Sequence, residues 1–282
     1  MRAWRWIKEH MVLFIGLLAL GYMLLPILVI AVFSFNDPSG RYNFEWVGFT
    51  TEYWRSPFAI DQLTDSLLVS IRLAFFTSIG ATILGTLIAI ALVRYQFFGR
   101  RAANLLIVIP MATPEVVIGA SLLSMFLVYG ASLGFGTLLI AHIMFSISFV
   151  VIVVRSRLIG FDRRLEEASA DLGASPLTTF RKITLPLIAP GVASAAMLSF
   201  ALSIDDFVIS NFNSGSTVTF PLYIFGANQR GIPVQVNVIA TMLFAVTVLA
   251  MLAVIIQQKR AEKAAAMRPE EVANKPAVSL PV

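Results

Sequence analysis

Four ionisable side chains stand inside long apolar stretches: Arg72, Glu115, Asp205 and Asp206. Charge at membrane depth is costly, and by default it marks a pathway, a relay or a buried pair. Three acids against one base attract cations and repel anions. The expected chemistry is weak, reversible capture of a small cation by carboxylates, with no metal cage. Aromatic faces such as Trp46 would add cation–π contacts. Asp205 and Asp206, in LSFALSIDDFVIS, diverge by about 100° if the helix is regular. Both can serve one point only where the chain unwinds. Glu115 sits in VIPMATPEVVIG, where Pro110 and Pro114 should interrupt the helix. Thr113-Pro114-Glu115 has the order of a new start: cap, first-turn proline, first-turn acid. A break at that depth is tolerated only beside protein or a water-filled cavity. Arg72 is expected to be a structural counter-ion to one of the acids.

Other chemistries are absent from the sequence. There is no cysteine, and only His10 and His142 supply imidazole. Thiol nucleophiles, disulfides and Cys-ligated metals are excluded. No H-E-x-x-H, G-x-S-x-G or G-x4-G-K-[ST] pattern occurs, so neither hydrolytic chemistry nor a nucleotide-binding loop is expected in this chain.

The elements that must position these groups are membrane spans. The chain has 282 residues, of which 58% are hydrophobic and 13% charged, with a mean hydropathy of +0.83. Soluble domains carry about a quarter charged residues. Six apolar runs are long enough to cross a bilayer: Met11–Phe35, Leu63–Val93, Ala102–Tyr129, Thr137–Val154, Pro190–Ser210 and Asn237–Gln257. The first is longer than a signal-peptide core and lacks a cleavage pattern, so it reads as a retained span. The fold class is all-α, a polytopic membrane protein with six transmembrane helices. Lys and Arg set the orientation. Segments 1–10, 94–101, 155–189 and 258–282 hold 17 of them, against 3 in the opposite loops. Both termini and the 155–189 loop are therefore expected in the cytoplasm. The domain reading is a short N-terminal segment (1–10), a six-helix domain (11–257) and a polar, flexible tail (258–282). The external loop at 36–62 is rich in aromatic residues. It suits an interfacial belt, an outer gate or a docking surface.

The loop from Arg155 to Pro190 reads RSRLIGFDRRLEEASADLGASPLTTFRKITLPLIAP. Asp162 is expected to cap a helix beginning at Arg163, with Leu165, Ser169 and Leu172 along one face. Gly173 is placed to end it in the left-handed conformation. Ser175-Pro176 is a second start, with Leu177 and Phe180 on one face, and Pro186 and Pro190 are expected to stop the pattern. The result is a pair of short helices on the membrane surface. Glu167-Ala168-Ser169, three residues, Gly173, nine residues, then Ile183-x-Leu185-Pro186 resembles the EAA motif of ABC importer permeases. The departure is serine in place of the second alanine.

The resemblance extends over roughly residues 10–258, through LLPILVIAVFSFN, WVGFTTEYW and SIDDFVIS. It is closest to the second permease subunit of spermidine/putrescine importers, and it implies a type I ABC importer permease-like fold. It also implies that the EAA helix seats in a separate ATP-hydrolysing subunit, with Glu167, Ala168, Ser169, Gly173, Ile183, Leu185 and Pro186 forming the coupling element. Trp46, Glu115, Ser203, Asp205 and Asp206 carry over to substrate passage. The implied partners are a second permease, two ATP-binding subunits that hold ATP and Mg, an external substrate-binding protein, the lipid bilayer of the bacterial plasma membrane and a small cationic substrate. Nucleic acid is not expected, nor any cofactor in this chain. The same machine carrying ferric ion, a sugar or an amino-acid-like solute is the alternative. A proton-coupled secondary carrier ranks below it, since no inverted repeat is evident.

Overall fold

In a computed structural model, residues 2–273 are described, except Phe161. They are helical almost throughout, and their only strand-like pairing is an isolated antiparallel bridge between Asn36 and Phe49. Two compact units divide the chain: Met1–Ala59 with Gly231–Val282, and Ile60–Arg230.

The first unit contains α1 (Arg2–Phe33), α2 (Glu52–Arg55) and α12 (Val234–Ala273). Within the apolar window of α1 no residue is buried. Its contact within the unit is with α12, and a helix so apolar and so little covered by its own chain meets lipid or another subunit. The segment after α1 is a folded lock rather than a loose loop. The Asn36 side chain is fully buried. Its amide donates to Asn43 Oδ1 and to the Glu45 carbonyl, both at 2.7 Å, and its oxygen accepts from Val47 N–H at 2.8 Å. Asn43 donates to the Phe33 carbonyl at the end of α1. Phe35 stacks on Phe49 and on Trp54. Gly231 closes the unit at φ +124°, where a Cβ would lie 2.6 Å from the Arg41 carbonyl. Any side chain there would clash.

The second unit holds α3 (Asp61–Arg94), α4 (Arg100–Ala112), α5 (Glu115–Val128), α6 (Phe135–Ile159), α7 (Arg164–Asp171), α8 (Pro176–Thr179), α9 (Leu185–Ile204), α10 (Val208–Asn213) and α11 (Phe220–Arg230). Its centre is the triple packing of α3, α6 and α9. Ala81, Ala89, Leu92, Val150, Val154, Ile188 and Ala195 are buried together there. Small residues let the backbones approach, as membrane helix pairs require. At Gly85 a Cβ would fall 2.6 Å from Val150 Cγ1. Ser78 donates to the Ala196 carbonyl at 2.7 Å, tying α3 to α9.

Among the described residues five helices are long and apolar enough to cross a membrane; the number reaches six when the bent pair α4 and α5 counts as one span. That pair is the third expected run, and it turns by 112°. The break falls where proline density placed it, with two differences. Pro110 remains inside α4, and Thr113 ends α4 instead of capping α5, its hydroxyl donating back to the Ile109 carbonyl. Pro114 is the residue before α5, and Glu115 is its first. The fifth span also departs from expectation at both ends. Pro186 does not stop the helix. Phe180–Thr184 form a π-turn that runs into α9. The wider turn makes room for the proline ring and absorbs the hydrogen bond that proline cannot donate. At the far end α9 stops at Ile204, and Asp205–Phe207 are unwound before α10. The tail begins as a continuation of α12 to Ala273, in keeping with its alanine-, lysine- and glutamate-rich composition. Pro276 and Pro281 lie outside the described residues.

Candidate functional site

Two places in the second unit carry the sequence-derived candidates. One is the pair of helix breaks that present the acids. α5 and α10 pack against each other. The approach depends on Gly119, where a Cβ would sit 2.8 Å from the Phe212 ring. Asn213 donates to the Gly119 carbonyl at 3.2 Å, and Thr137 of α6 donates to the Asn213 carbonyl at 2.9 Å. Behind this contact, Leu122, Phe126, Ala141, Phe145 and Ile209 form a small core. The packing brings the two breaks together, so that Glu115 and Asp205 are the charged groups acting on Asp206. Asp206 is half-buried and accepts the Ser210 N–H at 3.1 Å, capping the first turn of α10. Asp205 and Glu115 are exposed on the chain.

The described residues offer these acids no ion pair. Among the described residues the ion pairs are Arg94–Glu166 and Arg163–Glu167. Arg72 is exposed and takes part in neither. The expected counter-ion role is therefore not realised in this chain, because α3 turns that face away from its neighbours. Ser203 is also placed differently from the expectation. It is buried, with its hydroxyl 2.8 Å from His142 Nδ1 rather than on the face shared by the acids. Trp46 belongs to the first unit, half-exposed, with its ring edge-on to Phe33 at 6.3 Å. No three His, Asp or Glu among the described residues converge as metal ligands.

The second place is the hairpin of α7 and α8. Asp162 Oδ1 accepts the Arg164 N–H at 3.0 Å, starting the helix one residue later than expected. Gly173 is left-handed at φ +79°. Ser175 accepts the Thr178 N–H ahead of Pro176, as a cap should. Ser169, the departure from the alanine pattern, is buried and bonds the Thr179 hydroxyl at 3.0 Å across the hairpin. Serine thus supplies a cross-link that alanine cannot. Glu167 points outward and pairs only loosely with Arg163, at 4.0 Å. Ala168, Gly173, Leu165, Leu172 and Leu177 are exposed around it, an apolar surface that none of the described residues covers. Ile183 is half-buried in the π-turn, and Leu185 and Pro186 open α9.

Sequence reasoning chose Glu167 and passed over its neighbour. Glu166 turns inward and binds Arg94, at the end of α3, at 2.7 Å, and it also accepts the Thr184 hydroxyl. Arg155 of α6 reaches the Asn104 side chain of α4 at 2.7 Å. Glu166 thus fastens the hairpin to the end of α3 and to the π-turn that leads into α9. Nothing local marks Glu166, because its partner lies 72 residues away.

A polytopic helical bundle with a broken acidic span and an exposed hairpin below it defines the class: the membrane subunit of an ABC importer. The fold superposes on a chain of a bacterial ABC transporter involved in the import of the acidic polysaccharide alginate, with TM-score 0.67 and 17% identity, covering 93% of this chain and 99% of that one. Residues 66–262 match the binding-protein-dependent transport system inner membrane components, and the chain belongs to that family. Among curated relatives, the spermidine/putrescine transport system permease protein PotC of Haemophilus influenzae is 43% identical over 224 residues, covering 79% of this chain and 86% of the relative. The putrescine transport system permease protein PotI of Escherichia coli (strain K12) is 35% identical over 239 residues, covering 81% and 84%.

Proposed function

We propose that the chain imports polyamines of the spermidine or putrescine type, as one of two permeases in an ATP-driven complex of the bacterial plasma membrane. The observation that carries the substrate class is the cluster of Glu115, Asp205 and Asp206 with no base opposing it. Exposed carboxylates at membrane depth do not face hydrocarbon. On a subunit that pairs with another, the remaining face is the passage between them. Polyamines are flexible chains of ammonium groups, and separated carboxylates match them better than a single tight cage. Weak binding suits passage, because the cation must also leave. The relatives named for spermidine and putrescine transport support the same substrate.

Energy enters from outside the chain. Two ATP-binding subunits hold ATP and Mg2+, and an external binding protein delivers the polyamine to the outer mouth. This chain performs no catalysis and carries no cofactor of its own. The distribution of Lys and Arg puts both termini and the hairpin in the cytoplasm. Glu167, Ala168 and Gly173 meet the ATPase subunit. Ser169 keeps the hairpin in one piece, and Ile183, Leu185 and Pro186 join it to α9. The Glu166–Arg94 pair transmits the push to α3, and through it to the packed spans.

Glu166→Ala is expected to lower uptake severalfold while ATP hydrolysis persists. The contact it removes is a charge-assisted hydrogen bond to the Arg94 guanidinium at 2.7 Å, worth of the order of 2 kcal/mol. Arg94→Ala removes the other partner of the same contact, so the double variant should cost little more than the Glu166 variant alone. Coupled uptake should remain low in both. Paired uptake and ATPase assays in vesicles check this.

The substrate is tested with the complex in proteoliposomes. Labelled spermidine should accumulate only with internal ATP and the binding protein outside, and unlabelled putrescine or spermidine should compete. Accumulation of ferric ion, a sugar or an amino acid with no competition by polyamines would overturn the substrate. Uptake by this chain alone, driven by a proton gradient, would overturn the mechanism.

A further inference from the structure

His142 is neither one of the acids nor part of the hairpin. It lies in α6, is 2% exposed, and is the only buried histidine among the described residues. Both ring nitrogens are engaged. Nδ1 is 2.8 Å from the Ser203 hydroxyl, and Nε2 is 3.1 Å from the Ser210 hydroxyl. Ser203 belongs to the last turn of α9 and Ser210 to the first turns of α10, so the ring spans the break at Asp205–Phe207. A neutral imidazole has one donor and one acceptor, and each hydroxyl can supply the complement, so either tautomer closes both bonds. Ser210 also donates its N–H to Asp206. One chain of bonds thus runs from α6 through Ser210 to the half-buried acid.

An unwound segment in a span loses helical hydrogen bonds and needs replacement partners. Here Asp206 accepts the Ser210 N–H, and two serine side chains, one on each side of the break, reach one ring on a neighbouring helix of the central packing. From this geometry we infer that His142 is a positioning residue. It staples the two ends of the broken fifth span and thereby fixes where Asp205 and Asp206 are presented. Ser203 then serves the passage through His142 and not by touching the cation. The inference rests on the proposed role of the acids in its consequence for uptake, but not in its geometry.

The test uses the absence of cysteine. A single Phe207→Cys in the unwound segment, half-buried against Phe225 in the parent chain, is labelled in the assembled complex by a membrane-impermeant thiol reagent and followed on this chain. Labelling should be slow with His142 present and several times faster with His142→Leu. Uptake by His142→Leu in the chain without cysteine should fall about fivefold or more at unchanged assembly. His142→Asn can keep the Ser203 arm and His142→Gln the Ser210 arm, and both should fall between. If His142→Leu does not assemble, Ser203→Ala and Ser210→Ala each remove one arm and should each raise labelling. Unchanged labelling in all of these variants overturns the staple, whatever uptake does. Faster labelling with normal uptake upholds the staple and instead overturns the role given to Asp205 and Asp206.

Discussion

Uptake by a complex carrying Asp205→Asn and Asp206→Asn falls at least tenfold, a rise of about 1.4 kcal/mol or more in the barrier to passage. Asparagine isolates charge from structure here. Asp206 caps α10 by accepting the Ser210 N–H, and asparagine caps a helix about as well as aspartate. Asp205 is exposed. The double variant should therefore assemble and retain basal ATPase activity while losing transport. Glu115→Gln should add to the deficit, since Glu115 and Asp205 are the charges around Asp206. Vesicle uptake measured beside co-purification of the partner subunits decides the matter. Normal uptake at normal assembly would remove the acids from the passage.

The second large effect is expected in the hairpin. Glu167→Ala with Gly173→Ala should cut uptake by about tenfold or more, with hydrolysis either idling or no longer stimulated by the binding protein. Neither change disturbs much within the chain. Glu167 is exposed, and its 4.0 Å contact with Arg163 is a surface pair worth well under about 1 kcal/mol. A Cβ on Gly173 meets no atom within 4 Å. Its cost is the left-handed backbone at φ +79°, about 1–2 kcal/mol for a residue with a side chain. The hairpin should keep its fold while its outer surface changes where a partner must approach closely. Loss of transport in such a variant reports a contact outside the chain. Normal transport with normal stimulation would place the coupling surface elsewhere.

The two halves of the candidate site were unequally legible in the residue order. Membrane depth and local hydrogen bonding are properties of short windows. The apolar runs, the proline-rich break before Glu115, the left-handed Gly173 and the capping Ser175 are each determined within a few residues. The EAA spacing is local as well, which is why the hairpin could be drawn before any coordinates. Even there the windows had limits. Pro186 read as a stop because one-residue rules do not include the π-turn that accommodates it.

The rest needed the tertiary structure. Ser203 turns toward His142, 61 residues away, and Glu166 toward Arg94, 72 residues away. Arg72 is exposed and forms no ion pair with the acids it was expected to answer. In a soluble helix the apolar stripe says which side is inside. In a membrane the lipid is as apolar as the core, so α3, α6 and α9 carry no such stripe, and their rotation is set by how small residues let the backbones meet. Which polar group faces a neighbour and which faces a passage follows from that rotation. It is decided by packing among distant helices, and no stretch of residues read alone contains it.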